Sequence, residues 1–280
     1  MPPAPEPAAD PAPAAQPRPP LFGADAYAPR EIAARVQDVG VAKARLPLLT
    51  LALLGVLAGA FIALGSLVFT LVAADASLGF AAQRLLGGLA FSLGLVLVTV
   101  AGAELFTGNN LLAMAWAARR ISTAELLRNW AVALLANLVG AAGVALLAFW
   151  AGHGALHGGA VGETVQRIAL AKVQLPPAEA FFRGVLCNVL VCMAVWMAMA
   201  GRSVLDKVVA VVFPVTAFVA AGFEHSIANL YFFPLAALLG APITLGQMAG
   251  NLVPVIAGNI VGGSVLVALV YWVIYLRPAR

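Results

Sequence analysis

One polar motif occurs twice in the sequence, 120 positions apart, and each copy interrupts a long apolar stretch. Both copies read G-x-E-x-x-x-x-N: Gly102-Ala-Glu-Leu-Phe-Thr-Gly-Asn109 and Gly222-Phe-Glu-His-Ser-Ile-Ala-Asn229. A carboxylate and an amide at membrane depth are unfavourable unless they line a site that the protein encloses. Because paired interruptions in matching halves are typical of a translocation site, the motif predicts a protein that moves a small solute across a bilayer.

The composition supports a membrane protein. Hydrophobic residues make up 62% of the chain and charged residues 10%, which is too few for the exterior of a large soluble protein. At roughly 20 residues per span, the chain accommodates about six membrane helices with short loops. The predicted spans are residues 47–73, 85–117, 127–151, 179–200, 204–238 and 251–276. The second and fifth are too long for straight helices and contain the motif, so we expect each to be broken into two half-helices.

Three regions are expected along the chain. Residues 1–27 are rich in Pro and Ala and are predicted to form a disordered cytoplasmic tail. Residues 28–45 are predicted to form an amphipathic cytoplasmic helix, with Ile32 and Val36 on its apolar face. This helix is either a membrane-surface anchor or a gating element beneath a pore. Residues 46–277 are predicted to form a six-helix transmembrane pore domain.

The distribution of basic residues predicts the orientation of the chain. An even number of spans places both termini on one side, together with 12 of the 16 Lys and Arg residues, and leaves 4 on the other side. Basic residues accumulate in cytoplasmic loops, so both termini are predicted to be cytoplasmic and the protein to lie in the inner (plasma) membrane.

The internal repeat extends beyond the two motifs. Asn129 and Asn137 in the third span match Asn251 and Asn259 in the sixth, at an offset of 122, and Gly55-Val-Leu aligns more weakly with Gly184-Val-Leu. Spans one to three thus correspond to spans four to six. Because three is odd, the second copy enters the membrane from the opposite face, which predicts an inverted repeat.

Several functional classes lack support in the sequence. Cys187 and Cys192 are interpreted as buried apolar residues, since they lack the further ligands of a metal site. No basic run with interleaved aromatic residues suggests nucleic-acid binding, and no cofactor motif is present. An enzyme is therefore not expected, although Glu104, Glu224 and His225 carry groups capable of acid–base chemistry.

Several segments are similar to signatures of the formate/nitrite transporter family: Ala101-Gly-Ala-Glu-Leu-Phe-Thr-Gly-Asn109, Cys187-Asn-Val-Leu-Val-Cys-Met-Ala-Val-Trp196 and the second motif. Gly201-Arg-Ser-Val-Leu-Asp-Lys207 and Tyr271-Trp-Val-Ile-Tyr-Leu-Arg277 resemble the formate-channel branch in particular. The resemblance covers residues 28–277. It implies an all-α, aquaporin-like fold, a homopentamer in the lipid bilayer with one pore in each protomer, and a central histidine.

His225 matches the family's central histidine, and its imidazole could offer a hydrogen bond or a proton to an anion at the midplane. Thr107 matches the pore threonine, which the resemblance implies faces His225; an N-cap role is the structural alternative. Lys172, placed in the loop between spans three and four, matches a lysine that raises the anion density in the vestibule. If half-helices begin near Thr107 and His225, their positive dipole ends also favour an anion.

Two further sets of residues follow from the resemblance and the repeat. Six apolar positions match the family's constrictions, which would exclude hydrated ions: Phe91, Leu95, Leu105, Phe106, Val191 and Phe218. Six polar residues are expected to support the broken helices: Glu104, Glu224, Asn109, Asn188, Asn229 and Asn259.

The expected function is passive or proton-coupled transport of formate and related small monovalent anions. A nitrite or hydrosulfide channel of the same family is the alternative. A pore for neutral solutes would share the repeat, but the paired Asn-Pro-Ala signatures of aquaporins are absent from the sequence.

Overall fold

The computed structural model describes residues 26–277, and in that range the chain forms helices and connecting loops without a strand. The predicted tail therefore lies outside the described residues, apart from its last two positions. The α-helices are α1 (Pro29–Ala44), α2 (Leu48–Ala73), α3 (Phe80–Leu97), α4 (Ala113–Ala117), α5 (Thr123–Trp150), α6 (Ala160–Val173), α7 (Pro177–Ala200), α8 (Val204–Ala221), α9 (Ser226–Leu238), α10 (Leu245–Ile260) and α11 (Val270–Tyr275). Wider, π-helical turns extend α3 through Val98–Gly102 and join α10 to α11 through Val261–Leu269.

Six helical segments of the described chain are long and apolar enough to cross a membrane, which confirms the predicted all-helical membrane fold. They are Leu48–Ala73, Phe80–Gly102, Thr123–Trp150, Pro177–Ala200, Val204–Ala221 and Leu245–Tyr275. The protein is thus a multi-pass membrane protein.

Four of these segments begin earlier than predicted, and in two of them, Thr123–Trp150 and Leu245–Tyr275, polar capping residues rather than the first apolar residues start the helix. Ser122 accepts a hydrogen bond from the backbone N–H of Glu125, whose side chain accepts from the N–H of Ser122. Thr244 and Gln247 form the same reciprocal capping box at the start of α10. Each box satisfies backbone donors that the first helical turn leaves free.

The chain leaves the helical conformation at both copies of the motif. After α3 and its π-helical turn, Gly102 adopts φ +85°, and helical structure resumes as a 3-10 turn at Gly108–Leu112. After α8, Gly222 adopts φ +75°, and α9 begins at Ser226. Glycine is required at these two positions because side chains rarely tolerate this backbone conformation. The helix after the first motif is short, whereas α9 has 13 residues.

The prediction that a loop joins the third and fourth spans is wrong, because this region contains helix α6. Its residues Val161, Val165 and Ala169 recur at helical spacing and are buried, whereas Glu163 and Arg167 are exposed. An amphipathic helix of this kind has too little apolar sequence to resemble a span. Lys172 consequently lies in the last turn of α6 and not in a loop.

Glycine allows close approach of the paired helices that carry the repeat. A Cβ atom on Gly140 of α5 would lie 1.9 Å from the carbonyl oxygen of Val56 in α2. A Cβ atom on Gly262, after α10, would lie 2.2 Å from the carbonyl oxygen of Val185 in α7. Any side chain at either glycine would force the helices apart.

Candidate functional site

The side chains of His225 and Thr107 meet in the protein interior, one from each copy of the motif. His225 Nε2 lies 3.1 Å from Thr107 Oγ1. His225 Nδ1 accepts a hydrogen bond from the backbone N–H of Ala228 at 3.2 Å, so the histidine caps helix α9. Since Nδ1 must then carry a lone pair, the neutral ring holds its proton on Nε2 and donates it to Thr107. Thr107 makes no capping hydrogen bond, which removes the N-cap alternative.

Aromatic rings enclose the imidazole of His225. The Phe218 ring stacks on it with ring centroids 5.8 Å apart and an interplanar angle of 16°. The Phe91 ring approaches its edge with a centroid separation of 6.4 Å. Phe91 and Phe218 were both expected at a constriction, and both are almost fully buried. The polar centre is therefore flanked by apolar surface.

Two cavities extend toward this centre from different sides. The α1-side cavity has a volume of about 470 Å³ and is lined by α1 residues together with Leu95 and Leu105. The α6-side cavity has a volume of about 390 Å³ and is lined by Lys172, Phe91, Phe218 and His225. Phe91 and Leu95 lie four residues apart on α3, a separation of about 6 Å along the helix. A partition of roughly one helical turn therefore separates the cavities.

The other two residues expected at constrictions lie outside these walls. Phe106 and Val191 are buried in the main apolar core, and neither lines either of the two cavities. Thr107 also lines neither cavity and has no exposed surface. Its hydroxyl is placed at the partition by its 3.1 Å contact with Nε2 of His225, which lines the α6-side cavity.

A buried ion pair supports the first motif next to the α1-side cavity. Lys43 Nζ lies 3.0 Å from Glu104 Oε1, and the two side chains are 27% and 6% exposed. Asn109 Nδ2 donates to Glu104 Oε2 at 2.7 Å and to Asn129 Oδ1 at 2.9 Å. Asn129 Nδ2 in turn donates to the carbonyl oxygen of Lys43 at 3.1 Å. These four residues form a closed set of contacts, here called the Lys43 network.

The second motif has a matching set next to the α6-side cavity, here called the Lys172 network. Lys172 Nζ lies 2.7 Å from Glu224 Oε1, and the side chains are 15% and 4% exposed. Asn229 Nδ2 donates to Glu224 Oε2 and to Asn251 Oδ1, each at 2.8 Å. Asn251 Nδ2 donates to the carbonyl oxygen of Lys172 at 2.8 Å. The carboxylate thus largely neutralises the lysine that was expected to attract anions.

Lys43 is the functional candidate that the sequence analysis missed, although a signal for it was present. Gly55 and Gly184 are 129 positions apart, and so are Lys43 and Lys172. Extending the glycine alignment toward the N-terminus would have paired the two lysines.

Asparagine side chains hold the backbone at both helix breaks. Asn137 Nδ2 donates to the carbonyl oxygens of Gly55 and Glu104, while its Oδ1 accepts from the N–H of Phe106. Asn259 makes the equivalent three bonds, to the carbonyl oxygens of Gly184 and Glu224 and from the N–H of Ser226. Unpaired backbone groups at this depth would be strongly unfavourable.

Asn188 of α7 links the two breaks. Its Nδ2 lies within hydrogen-bonding distance of the carbonyl oxygens of Thr107, at 3.1 Å, and Asn259, at 2.7 Å. The same nitrogen is 2.8 Å from Asn110 Oδ1. Across residues 26–277, no three His, Cys, Asp or Glu side chains are grouped to hold a metal ion.

The sequence matches the family model described as formate/nitrite transporter over residues 30–273. The uncharacterized transporter YrhG of Bacillus subtilis is 39% identical over 256 residues, which cover 90% of this chain and 95% of that protein. The formate channel FocA of Escherichia coli K12 is 38% identical over 273 residues, covering 90% of this chain and 96% of FocA. A probable formate transporter of Methanothermobacter thermautotrophicus is 39% identical, covering 91% and 100%.

Two solved structures share the fold. An FNT family ion channel superposes with a TM-score of 0.80 and 33% identity, covering 89% of this chain and 99% of that one. A pentameric formate channel with formate bound superposes with a TM-score of 0.74 and 35% identity, covering 82% and 98%.

Proposed function

This chain belongs to the formate/nitrite transporter family, and from that premise we propose that it conducts formate and related small monovalent anions through a pore in each protomer. Members of the family are channels and transporters and not enzymes. One observation carries the proposal for this chain: two cavities end on opposite sides of a thin partition that contains the Thr107–His225 hydrogen bond.

The partition selects for a small anion that can shed its water. Leu95 and Leu105 face one cavity, and Phe91 and Phe218 face the other. Apolar walls of this kind offer a hydrated ion nothing to replace its water. Between them, the Nε2–H of His225 and the hydroxyl of Thr107 are the donors available to an oxyanion. Formate has a compact carboxylate that two such donors match.

His225 acts in this proposal as a hydrogen-bond donor. Its Nδ1 accepts from the Ala228 N–H, so a second proton on the ring would require this capping bond to break. Without an anion the neutral ring donates from Nε2 to the Thr107 hydroxyl. When formate enters, the Nε2–H donates to one carboxylate oxygen instead, and the Thr107 hydroxyl donates its own hydrogen to the other. Proton transfer from His225 to formate would need the cap to open first.

Binding at the centre is weak enough to permit release. The start of α9 directs a positive dipole end at the centre, which contributes about 0.3–1 kcal/mol for an anion. Lys43 and Lys172 stand in the two cavities, but Glu104 and Glu224 offset their charges. Conduction requires that an anion be attracted but not bound so tightly that it cannot leave. A lysine whose charge is partly offset by a carboxylate meets this requirement.

The proposal extends to assembly and orientation. The solved formate channel with formate bound is pentameric, which supports a homopentamer here. The excess of basic residues on the side of both termini supports cytoplasmic termini in the inner membrane. The α1-side cavity would then open to the cytoplasm. Because Val36, Val39 and Gly40 line that cavity, we assign α1 to the pore wall, where its movement would gate entry.

Nitrite and hydrosulfide remain alternative substrates, because the two donors at the centre suit any small monovalent anion. The names of the relatives FocA and the probable formate transporter favour formate.

Flux into liposomes containing the purified protein tests the proposal. Formate entry should exceed entry into empty liposomes, and adding excess nitrite, lactate or hydrosulfide in separate arms should rank the substrates. Osmotic swelling in glycerol forms a further arm. Rapid glycerol entry with formate permeability unchanged from empty liposomes would instead indicate a pore for neutral solutes and reject the proposal.

A further inference from the structure

The α6-side cavity carries two arginine side chains that have no counterpart in the α1-side cavity. Arg84 of α3 and Arg183 of α7 both line it. The repeat offsets of 120 and 129 assign Val204 and Leu54 to the corresponding places in the other half. Leu54 does line the α1-side cavity, and its carbonyl oxygen binds the Glu104 N–H just as the Arg183 carbonyl binds the Glu224 N–H. The two cavities therefore differ in charge at these equivalent positions, and apart from Lys43, which Glu104 neutralises, the α1-side cavity has the single ammonium of Lys207 elsewhere in its wall.

Both guanidinium groups lie beside Gly222, where the backbone leaves α8. Arg84 Nε donates to the carbonyl oxygen of Ala220 at 2.8 Å, and a Cβ atom on Gly222 would lie 2.7 Å from Arg84 Nη2. Arg183 Nη1 donates to the carbonyl oxygen of Gly222 at 3.3 Å. Two like charges that approach the same residue repel each other unless an anion lies near both.

The negative charges near the two arginines do not balance their two positive charges. Arg183 Nη2 pairs with Glu179, whose side chain is exposed. Within the described part of the chain, Arg84 has no carboxylate partner, and neither of its Nη groups has a hydrogen-bond acceptor. Each guanidinium donates one hydrogen bond to a carbonyl oxygen at the end of α8, so the arginines also cap this end of the helix. Their remaining N–H groups are available to a ligand.

We propose that Arg84 and Arg183 form an anion-binding site in the wall of the α6-side cavity, which captures small monovalent oxyanions before they reach His225. The site deepens the proposed function and rests on it. Guanidinium forks match a carboxylate in shape and charge, which makes formate a suitable ligand. Lys172 lies in the same cavity, but Glu224 neutralises it, so the arginine pair supplies the excess positive charge.

An arginine pair on the α6 side, against the single ammonium of Lys207 on the α1 side, gives the two cavities unequal apparent affinities for the same anion. A positive site in a cavity raises the local anion concentration and lowers the half-saturating concentration for entry from that side. A passive pore has equal permeability in both directions at low anion concentration, so the asymmetry lies in KM and in the maximal rate, and KM for entry through the α1-side cavity does not depend on the site. The effect is screened by salt, since the Debye length shrinks from about 30 Å at 0.01 M to about 10 Å at 0.1 M ionic strength.

The test measures the initial rates of labelled formate uptake in right-side-out and inside-out membrane vesicles from a host that lacks its own formate transport. The test variant is R84Q/R183L. Its leucine at position 183 matches Leu54, the equivalent residue in the first half. Its KM for entry from the α6 side should rise roughly 5-fold at low ionic strength, the effect of about one lost close charge interaction in water. Its KM from the α1 side should stay unchanged, which also shows that the variant is folded.

Two further variants control for charge and structure. R167Q removes an exposed charge from α6 that lines neither cavity, and it should leave both KM values unchanged. R183K keeps the charge and should retain most of the affinity.

Labelling of a cysteine in the L156C variant by an impermeant thiol reagent identifies the α6 side, since Leu156 is exposed and both native cysteines are buried.

The outcomes separate the two proposals. An unchanged KM from the α6 side, or an equal rise from both sides, in a double variant that still conducts formate would overturn the arginine site alone. Absence of formate flux in the wild-type vesicles would overturn the proposed function and the site together.

Discussion

The two halves of this protein share a polar scaffold but differ at the residue that the scaffold presents. The Lys43 and Lys172 networks repeat the same lysine–glutamate pair and the same asparagine contacts. At the position after the glutamate, however, the first half has Leu105 and the second has His225. The networks therefore maintain the helix breaks, and the residue beside each glutamate is free to serve chemistry. The contacts that both halves share therefore indicate structural support, and the position at which the halves differ, Leu105 or His225, indicates function.

The networks also differ in burial. Lys43 is 27% exposed, whereas Lys172 is 15% exposed and its carboxylate partner only 4%. Water screens the first pair more than the second, so equal geometry does not imply equal energy. Substitutions at matched positions of the two halves distinguish shared support from divergent function.

Loss of a lysine should be more destabilising in the Lys172 network. The substitution Lys172→Met leaves Glu224 buried and unpaired, and should destabilise the protein by about 3–5 kcal/mol. Lys43→Met should cost less, about 1.5–3 kcal/mol, because water reaches that pair. Thermal unfolding of the purified protein in detergent measures both. The double variant Lys172→Met/Glu224→Gln should recover part of the loss, and a double variant less stable than the single one would contradict the ion-pair interpretation.

Loss of either central asparagine should be equally harmful. Asn137→Ala and Asn259→Ala each orphan one N–H and two carbonyl groups at a helix break. Each should destabilise the protein by about 2–4 kcal/mol, the combined effect of several unsatisfied buried groups. The same unfolding assay applies. A difference of more than about 2 kcal/mol between the two variants, beyond ordinary context effects, would show that the scaffold is not equivalent in the two halves.

Replacing His225 by leucine, the residue at the equivalent position 105 of the first half, should impair transport. His225→Leu removes the donor to the anion and should lower formate flux at neutral pH by a factor of 10 or more, since a hydrogen bond to a charged group contributes about 1.5–3 kcal/mol. His225→Gln keeps an N–H donor and should retain more flux. Liposome flux at matched protein content measures this. Equal flux in the Leu and Gln variants would remove the donor role.

The smallest effect concerns a contact that only the first half makes. Trp130 Nε1 donates to the carbonyl oxygen of Asn109 at 2.9 Å, whereas the repeat offset of 122 assigns Leu252 to the equivalent place. Trp130→Phe keeps the ring and loses the bond, so it should destabilise the protein by about 1 kcal/mol. Leu252→Val, the matched change in the second half, should affect packing but not hydrogen bonding there. No measurable shift in Trp130→Phe would indicate that water replaces the bond.

The sequence predicted the membrane spans because apolar runs of sufficient length have few alternatives. It located both helix interruptions, because polar residues within such runs are conspicuous, although it did not foresee how short α4 is. It failed at α6, where an amphipathic pattern with Glu163 and Arg167 resembles a surface loop. It also did not pair Lys172 with Glu224, since 52 positions separate them in the chain.

The sequence by itself determined that this protein crosses the membrane, that two matching motifs interrupt its helices, and that a single histidine lies in one of them. These features follow from the hydropathy of the sequence and from its internal repeat, which are properties of the linear chain. Only the tertiary structure decided which charges are neutralised: Lys43 by Glu104, and Lys172 by Glu224, while Arg84 and Arg183 converge on Gly222. Such contacts depend on how distant helices cross, and the free energy of a charge depends on the partners and water that this crossing leaves to it.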